Sequence, residues 1–324
     1  MGHIMDFGKL DGRKIELVVL KSGSFVACVS TYGAALVWFG TKDRNYVTYH
    51  SSGEKYIDDP TYMGKVVGPY ANRIEGASFS IGEKRYGLEK NDGDNNLHSG
   101  SSCFGNKLWS IEGISDSMVT LSLSTEEEGG FPGRHETEVS YYLTAEGMLT
   151  ILYKATSTER CPVALTNHAY FVLDDRDSRS LSLMVEADQY IAVDSALIPL
   201  PQNPVCVENT GFDFRTRTKV GERRDGKYDN SWVLKKGALV TVEGNLASLS
   251  VKTTEPGIQI YTGEFMTGED AFPFKGIAFL SEAPLGLLPS CASPVLIISP
   301  DLPHPGLLVL NNRHQTTSFL SVVP

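Results

Sequence analysis

Residues 118–124 (MVTLSLS), 136–143 (ETEVSYYL) and 148–154 (MLTILYK) decide the fold class. Each alternates polar and apolar side chains and is rich in Val, Thr or Tyr, the pattern of a half-buried β-strand. The breaks between them, GGFPG at 129–133 and TAEG at 144–147, carry Gly and Pro where a chain turns. The same signature recurs outward along the chain. It is found at 14–20 (KIELVVL), 24–30 (SFVACVS), 181–186 (LSLMVE), 239–242 (LVTV), 246–252 (LASLSVK), 258–262 (IQIYT) and 295–299 (VLIIS). No long segment repeats apolar residues at the helical spacing, and no strand–GxGxxG–helix unit marks a dinucleotide fold. Turn signals at this spacing predict an all-β sandwich.

The 324 residues are 41% hydrophobic and 21% charged, enough apolar content for a substantial core. A formal charge of −10 and the lack of a Lys/Arg cluster argue against nucleic acid as a partner. No apolar run approaches the roughly 18 residues of a membrane helix. Residues 1–5 are a candidate cloning remnant, and 6–324 read as a single domain without a linker or internal repeat. The five cysteines, Cys28, Cys103, Cys161, Cys206 and Cys291, are odd in number and form no CxxC. Buried or semi-buried thiols in a reducing cytoplasm are therefore expected.

Five segments hold more polar chemistry than strands and turns require. VGPYANRI (67–74) carries Asn72 and Arg73, whose guanidinium offers five donors in a planar fork or serves a surface salt bridge. NDGDNNLHSG (91–100) is a loop presenting His98 to a site or to solvent. In ALTNHAYFVL (164–173), Thr166, Asn167 and His168 interrupt an apolar run. They either form a satisfied core network or face a cavity, where an imidazole suits proton transfer. KYDNSWVL (227–234) places Asp229 near Trp232, a carboxylate for hydroxyls and a ring for a sugar face, or simply a turn cap. GIQIYTG (257–263) and GIAFLSEAP (276–284) contribute Gln259 and Glu282.

Taken in order, VGPYANRI, NLHSG, LTNHAYF, YDNSWVL, GIQIYTG and the Glu282 strand resemble the aldose 1-epimerase (galactose mutarotase) family. GGFPG followed by VSYYLT, Ile198-Pro199 and FDFR (212–215) match further landmarks, so the resemblance spans roughly residues 10–320. It implies a large antiparallel β-sandwich of the galactose mutarotase-like supersandwich type. It also implies an isomerase that interconverts α and β anomers of a free hexose, glucose or galactose, with no metal and no cofactor. By similarity, Glu282 is the general base and His168 the general acid. His98 assists near the ring or anomeric oxygen, and Asn72, Arg73, Asp229 and Gln259 hold the hydroxyls. The chain departs from the family in reading Leu280-Ser281-Glu282 where Leu-Glu-Thr is usual, and Gly68-Pro69 where Gly-Arg is usual.

Two alternatives share the fold. A hexose-6-phosphate mutarotase needs extra cations at the pocket, for which Lys65, Arg134 or Arg160 would have to fold into place. A non-catalytic sugar-binding module keeps the hydroxyl clamp without proton transfer. A hydrolase metal site built on His98, His168 and Glu282 has no ligand spacing to support it. The expected partner is a small-molecule aldose, not a membrane, and the expected assembly a monomer or homodimer.

Overall fold

The computed structural model describes residues 2–266, 274–282, 297–298 and 314–323. It is built from antiparallel strands, and the helical pieces among the described residues are single 3-10 turns of three or four residues. The expected runs are strands with ends shifted by up to a few residues: Arg13–Ser22, Phe25–Ser30, Met118–Thr125, His135–Leu143, Met148–Ser157, Ser182–Val185, Val240–Glu243, Ser248–Thr253 and Gly257–Tyr261. The expected strand at 295–299 is seen as Ile297–Ile298, paired with Cys161–Pro162.

The largest sheet has nine strands. Ser110–Ile114, Met118–Thr125, His135–Leu143 and Met148–Ser157 form a meander, which His314–Val323 joins to Ser248–Thr253, Val240–Glu243, Ser182–Val185 and Thr218–Lys219. A six-stranded sheet lies against it, in the order Tyr170–Phe171, Ile277–Glu282, Gly257–Tyr261, Asp229–Val233, Gln189–Tyr190, Val205–Cys206. Alternation then does the rest, because successive side chains leave a strand on opposite faces. Val119, Leu121, Val139, Tyr141, Ile151, Val240 and Val251 from the large sheet meet Phe171, Trp232, Ile258, Ile260, Ile277 and Phe279 from the smaller one in the main core.

The other face of the six-stranded sheet carries Tyr170, Leu280 and Ala278. The register Gln259↔Leu280, Tyr261↔Ala278, Ser231↔Gln259 and Asp229↔Tyr261 brings the polar residues of two strands onto this face, beside Leu280 and Ala278 of a third. A four-stranded sheet, His3–Leu10, Arg13–Ser22, Phe25–Ser30 and Leu36–Thr41, packs Ile15, Cys28 and Val37 into a second apolar cluster beneath it. Residues 3–5 pair with 17–19 in that sheet.

Cys28, Cys103 and Cys161 are buried free thiols; Cys206 is also free but exposed, against the expectation of a buried or half-buried group. It ends the edge strand Val205–Cys206, where one side has no neighbouring strand among the described residues. Cys291 lies outside the described residues.

Candidate active site

Two short pairings carry the loops to this face. Arg73–Ile74 pairs with Asn96–Leu97, so Asn72 and His98 meet at its end. The backbone N–H of His98 donates to the Asn72 carbonyl at 3.1 Å, and the Asn72 N–H donates to His98 Nδ1 at 3.0 Å. That second bond fixes the tautomer: Nδ1 is an acceptor, so a neutral His98 carries its proton on Nε2. Both residues have left-handed backbones, φ 65° at Asn72 and 53° at His98, a strain that clusters at functional sites.

Val66–Val67 pairs with Thr166–Asn167. The next residue, His168, is locked by its main chain, donating to the Lys65 carbonyl and accepting from the Gly64 N–H, each at 2.9 Å. The two readings that the sequence allows for this segment each apply to a different residue. Asn167 is a satisfied core amide, with Nδ2 donating to Gly64 O at 2.7 Å and Tyr141 Oη at 3.3 Å, and Oδ1 accepting from the Ala169 N–H at 3.0 Å. His168 faces a cavity.

That cavity, of about 190 Å³, is lined by Asn72, Arg73, His98, His168, Asp229 and Gln259 together with Thr61, Tyr62, Tyr170, Tyr261, Met266 and Leu280. Six of the seven sequence-predicted site residues thus converge. The rings of His98 and His168 stand 5.4 Å apart, nearly perpendicular. Burial pushes His168 down to about 4, opposed by the negative charge of Asp59, and holds His98 well below 6.5, helped by His168 and Arg73. Both imidazoles are therefore neutral at neutral pH. His168 Nδ1 is buried and has no hydrogen-bond partner among the described residues.

The same cavity holds a charged cluster. Arg73 Nε donates to Asp92 Oδ2 at 2.7 Å, and its Nη1 is 3.7 Å from Asp229 Oδ2. Gln259 Nε2 donates to Asp229 Oδ1 at 2.6 Å, and Ser231 Oγ donates to Gln259 Oε1. Burial raises the Asp229 carboxyl while the Arg73 charge pulls it back. A guanidinium, a carboxylate and an amide side by side can donate to and accept from several hydroxyls at once.

Leu280 lines the cavity opposite Gln259 in the ladder. Glu282 ends the same strand two residues on, about 7 Å along it, and pairs with Gly257. Its side chain lies outside the described part of the chain. Trp232 is corrected: it is fully buried in the main core, with Nε1 donating to Phe212 O at 3.0 Å, and is not a platform for a sugar. Asp229 and Trp232 are three apart in one strand, so they face opposite sides of the sheet. None of the three cations considered for a phosphate lines the cavity. Lys65 is fully buried, its Nζ 3.4 Å from Asn106 Oδ1, and Arg134 pairs with Glu136 at the surface. Arg160 is exposed. Sequence reasoning missed Thr61 and Tyr62, although Asp58-Asp59-Pro60 before them is a strong turn signal.

A sequence profile of the aldose 1-epimerase family matches residues 16–320. The chain belongs to the aldose 1-epimerase family. Galactose mutarotase from Mus musculus is 33% identical over 282 residues, which cover 81% of this chain and 82% of the mouse protein. Aldose 1-epimerase from Escherichia coli K12 is 31% identical over 302 residues, covering 84% and 87%. The crystal structure of galactose 1-epimerase from Lactobacillus acidophilus superposes with a TM-score of 0.87 at 23% identity, covering 100% of this chain and 98% of that one. These relatives place the antiparallel sandwich of this aldose 1-epimerase family member in the galactose mutarotase-like fold.

Proposed function

We propose that this chain is an isomerase that interconverts the α and β anomers of a free aldohexose, glucose or galactose. The observation that carries the reading is the convergence of two perpendicular imidazoles and an Arg–Asp–Gln clamp, from five separate segments, in one cavity. Its relatives' names point the same way.

Mutarotation opens the pyranose, turns C1–C2, and closes the ring on the other face. Opening removes the proton from O1 while a proton reaches O5. Doing either alone leaves a charged intermediate, so an acid and a base on opposite sides lower the barrier together. His168 supplies the acid and Glu282, at the end of the strand that also presents Leu280, the base. Their roles exchange on closure. A carboxylate facing the sugar raises the proton affinity of the imidazole, so the pair titrates as a unit. His98, with its proton on Nε2, donates to the ring or anomeric oxygen. Asn72, Arg73, Asp229 and Gln259 hold the hydroxyls. No step calls for a metal or cofactor.

A phosphorylated sugar fits less well, because Arg73 is the only Lys or Arg among the described cavity residues and is already committed to two carboxylates. The four described cysteines are free thiols, which supports a cytoplasmic setting. The test is polarimetry on freshly dissolved α-D-glucose, α-D-galactose and glucose 6-phosphate. Acceleration with the free sugars is expected. Calorimetric binding of galactose without acceleration would make the chain a sugar-binding module instead.

A further inference from the structure

The turn at 59–63 is tied down more tightly than a surface loop requires. Asp59 Oδ1 accepts from the Thr61 N–H at 3.0 Å and from Thr61 Oγ1 at 2.6 Å, and Oδ2 accepts from the Met63 N–H at 2.8 Å. Tyr170 Oη donates to the Thr61 carbonyl at 2.9 Å, and the Lys65 N–H donates to the Tyr62 carbonyl at 3.0 Å. These bonds bracket Tyr62, which is held at φ 54°, a left-handed conformation that a bulky residue rarely adopts without support. Its ring then meets both histidines, His98 edge-on at 4.7 Å between centroids and His168 near-parallel at 6.1 Å. Tyr62 is half-buried and lines the cavity, whereas Asp59 is buried behind it and does not.

We propose that Asp59 is a positioning residue for the mutarotation assigned above: it caps the turn and so fixes Tyr62 as the aromatic wall that orients His98 against His168 and keeps water from both rings. His98 sees His168, Arg73 and the Tyr62 ring; His168 sees His98, Tyr62, Tyr170 and the charge of Asp59. Asp59 itself is flanked by His50 Nε2 at 3.6 Å and by the positive charge of Lys65. With burial the largest influence on both histidines, loss of the wall lets water in and their proton affinities rise.

The experiment follows histidine C2–H resonances through a pH titration of the full chain, alongside polarimetric pH profiles on α-D-galactose. Tyr62→Leu removes the wall and is expected to move the His98 and His168 titrations up by about one unit or more, with the matching limb of the rate profile. Tyr62→Phe keeps the ring and should leave the titrations unchanged. Asp59→Ala should move the His98 titration up as Tyr62→Leu does, with a smaller rise at His168, because the Asp59 charge that raises its proton affinity is lost as well. The milder Asp59→Asn, which keeps one acceptor, should show part of the His98 shift. Should the Asp59 variants unfold at lower temperature with unchanged titrations and pH profile, Asp59 is merely structural and the proposal fails. Unchanged titrations in Tyr62→Leu overturn it too. If wild type does not accelerate mutarotation yet the titrations shift as described, the positioning stands and the activity assignment is what falls.

Discussion

Replacing Asp229 by alanine isolates the sugar clamp from the proton-transfer groups. The carboxylate receives the Gln259 amide at 2.6 Å through Oδ1 and faces Arg73 Nη1 at 3.7 Å through Oδ2, leaving lone pairs on both oxygens for hydroxyls. Each hydrogen bond to a charged group contributes about 1.5–3 kcal/mol. Losing one sugar contact of that kind weakens binding roughly 10- to 150-fold. The fold itself should suffer little, because Arg73 keeps Asp92 at 2.7 Å and is not left as an uncompensated buried charge. Calorimetric titration with galactose, and saturation curves by polarimetry, read the loss directly. Asp229→Asn retains one acceptor and should fall between wild type and alanine. In the proposed reading Arg73 and Asp229 hold one ligand, so the double variant with Arg73→Ala should show a coupling of about 0.5–3 kcal/mol. An unchanged affinity in Asp229→Ala would refute the clamp.

Glu282→Gln is expected to lower turnover by about 10²–10⁴-fold while sparing affinity; a wild-type rate would take Glu282 out of the mechanism and leave Asp229 as the carboxylate to test. Trp232→Phe should lower the melting temperature yet leave galactose affinity unchanged, since Trp232 sits in the main core with its Nε1 on Phe212 O; weakened affinity at full folding would return it to the site. Stability should fall as pH drops from about 6.5 toward 4: His135 and His168 are held down to about 4 by burial, so over that window the unfolded chain binds the protons. His135→Gln should flatten part of this slope in thermal melts, and a flat wild-type melting temperature across the window would contradict the buried neutral histidines.

The strands were legible because period-two alternation is a local property, and MVTLSLS or ETEVSYYL carries it without help from the rest of the chain. The site was less so. Read singly, Arg73 and His98 each admit an ordinary surface role and Asp229 a turn cap. What separates the readings is convergence, and convergence depends on sheet order: only the pairing of Gly257–Tyr261 between Asp229–Val233 and Ile277–Glu282 puts Gln259 beside both Asp229 and Leu280. Trp232 shows that a local rule was available and overlooked, since an odd spacing from Asp229 within one strand already assigns it to the core face. Tyr62 shows the reverse case. DDPTYMG announces a turn, but nothing local says that the turn places a ring against two histidines from distant segments.

The proposed reaction depends on His168 moving a proton on a pyranose bound by this cavity. The most direct measurement is the polarimetric turnover of α-D-galactose by His168→Asn with binding followed in parallel. Turnover should fall about 10²–10⁴-fold with the sugar still bound. Turnover at the wild-type rate would contradict it.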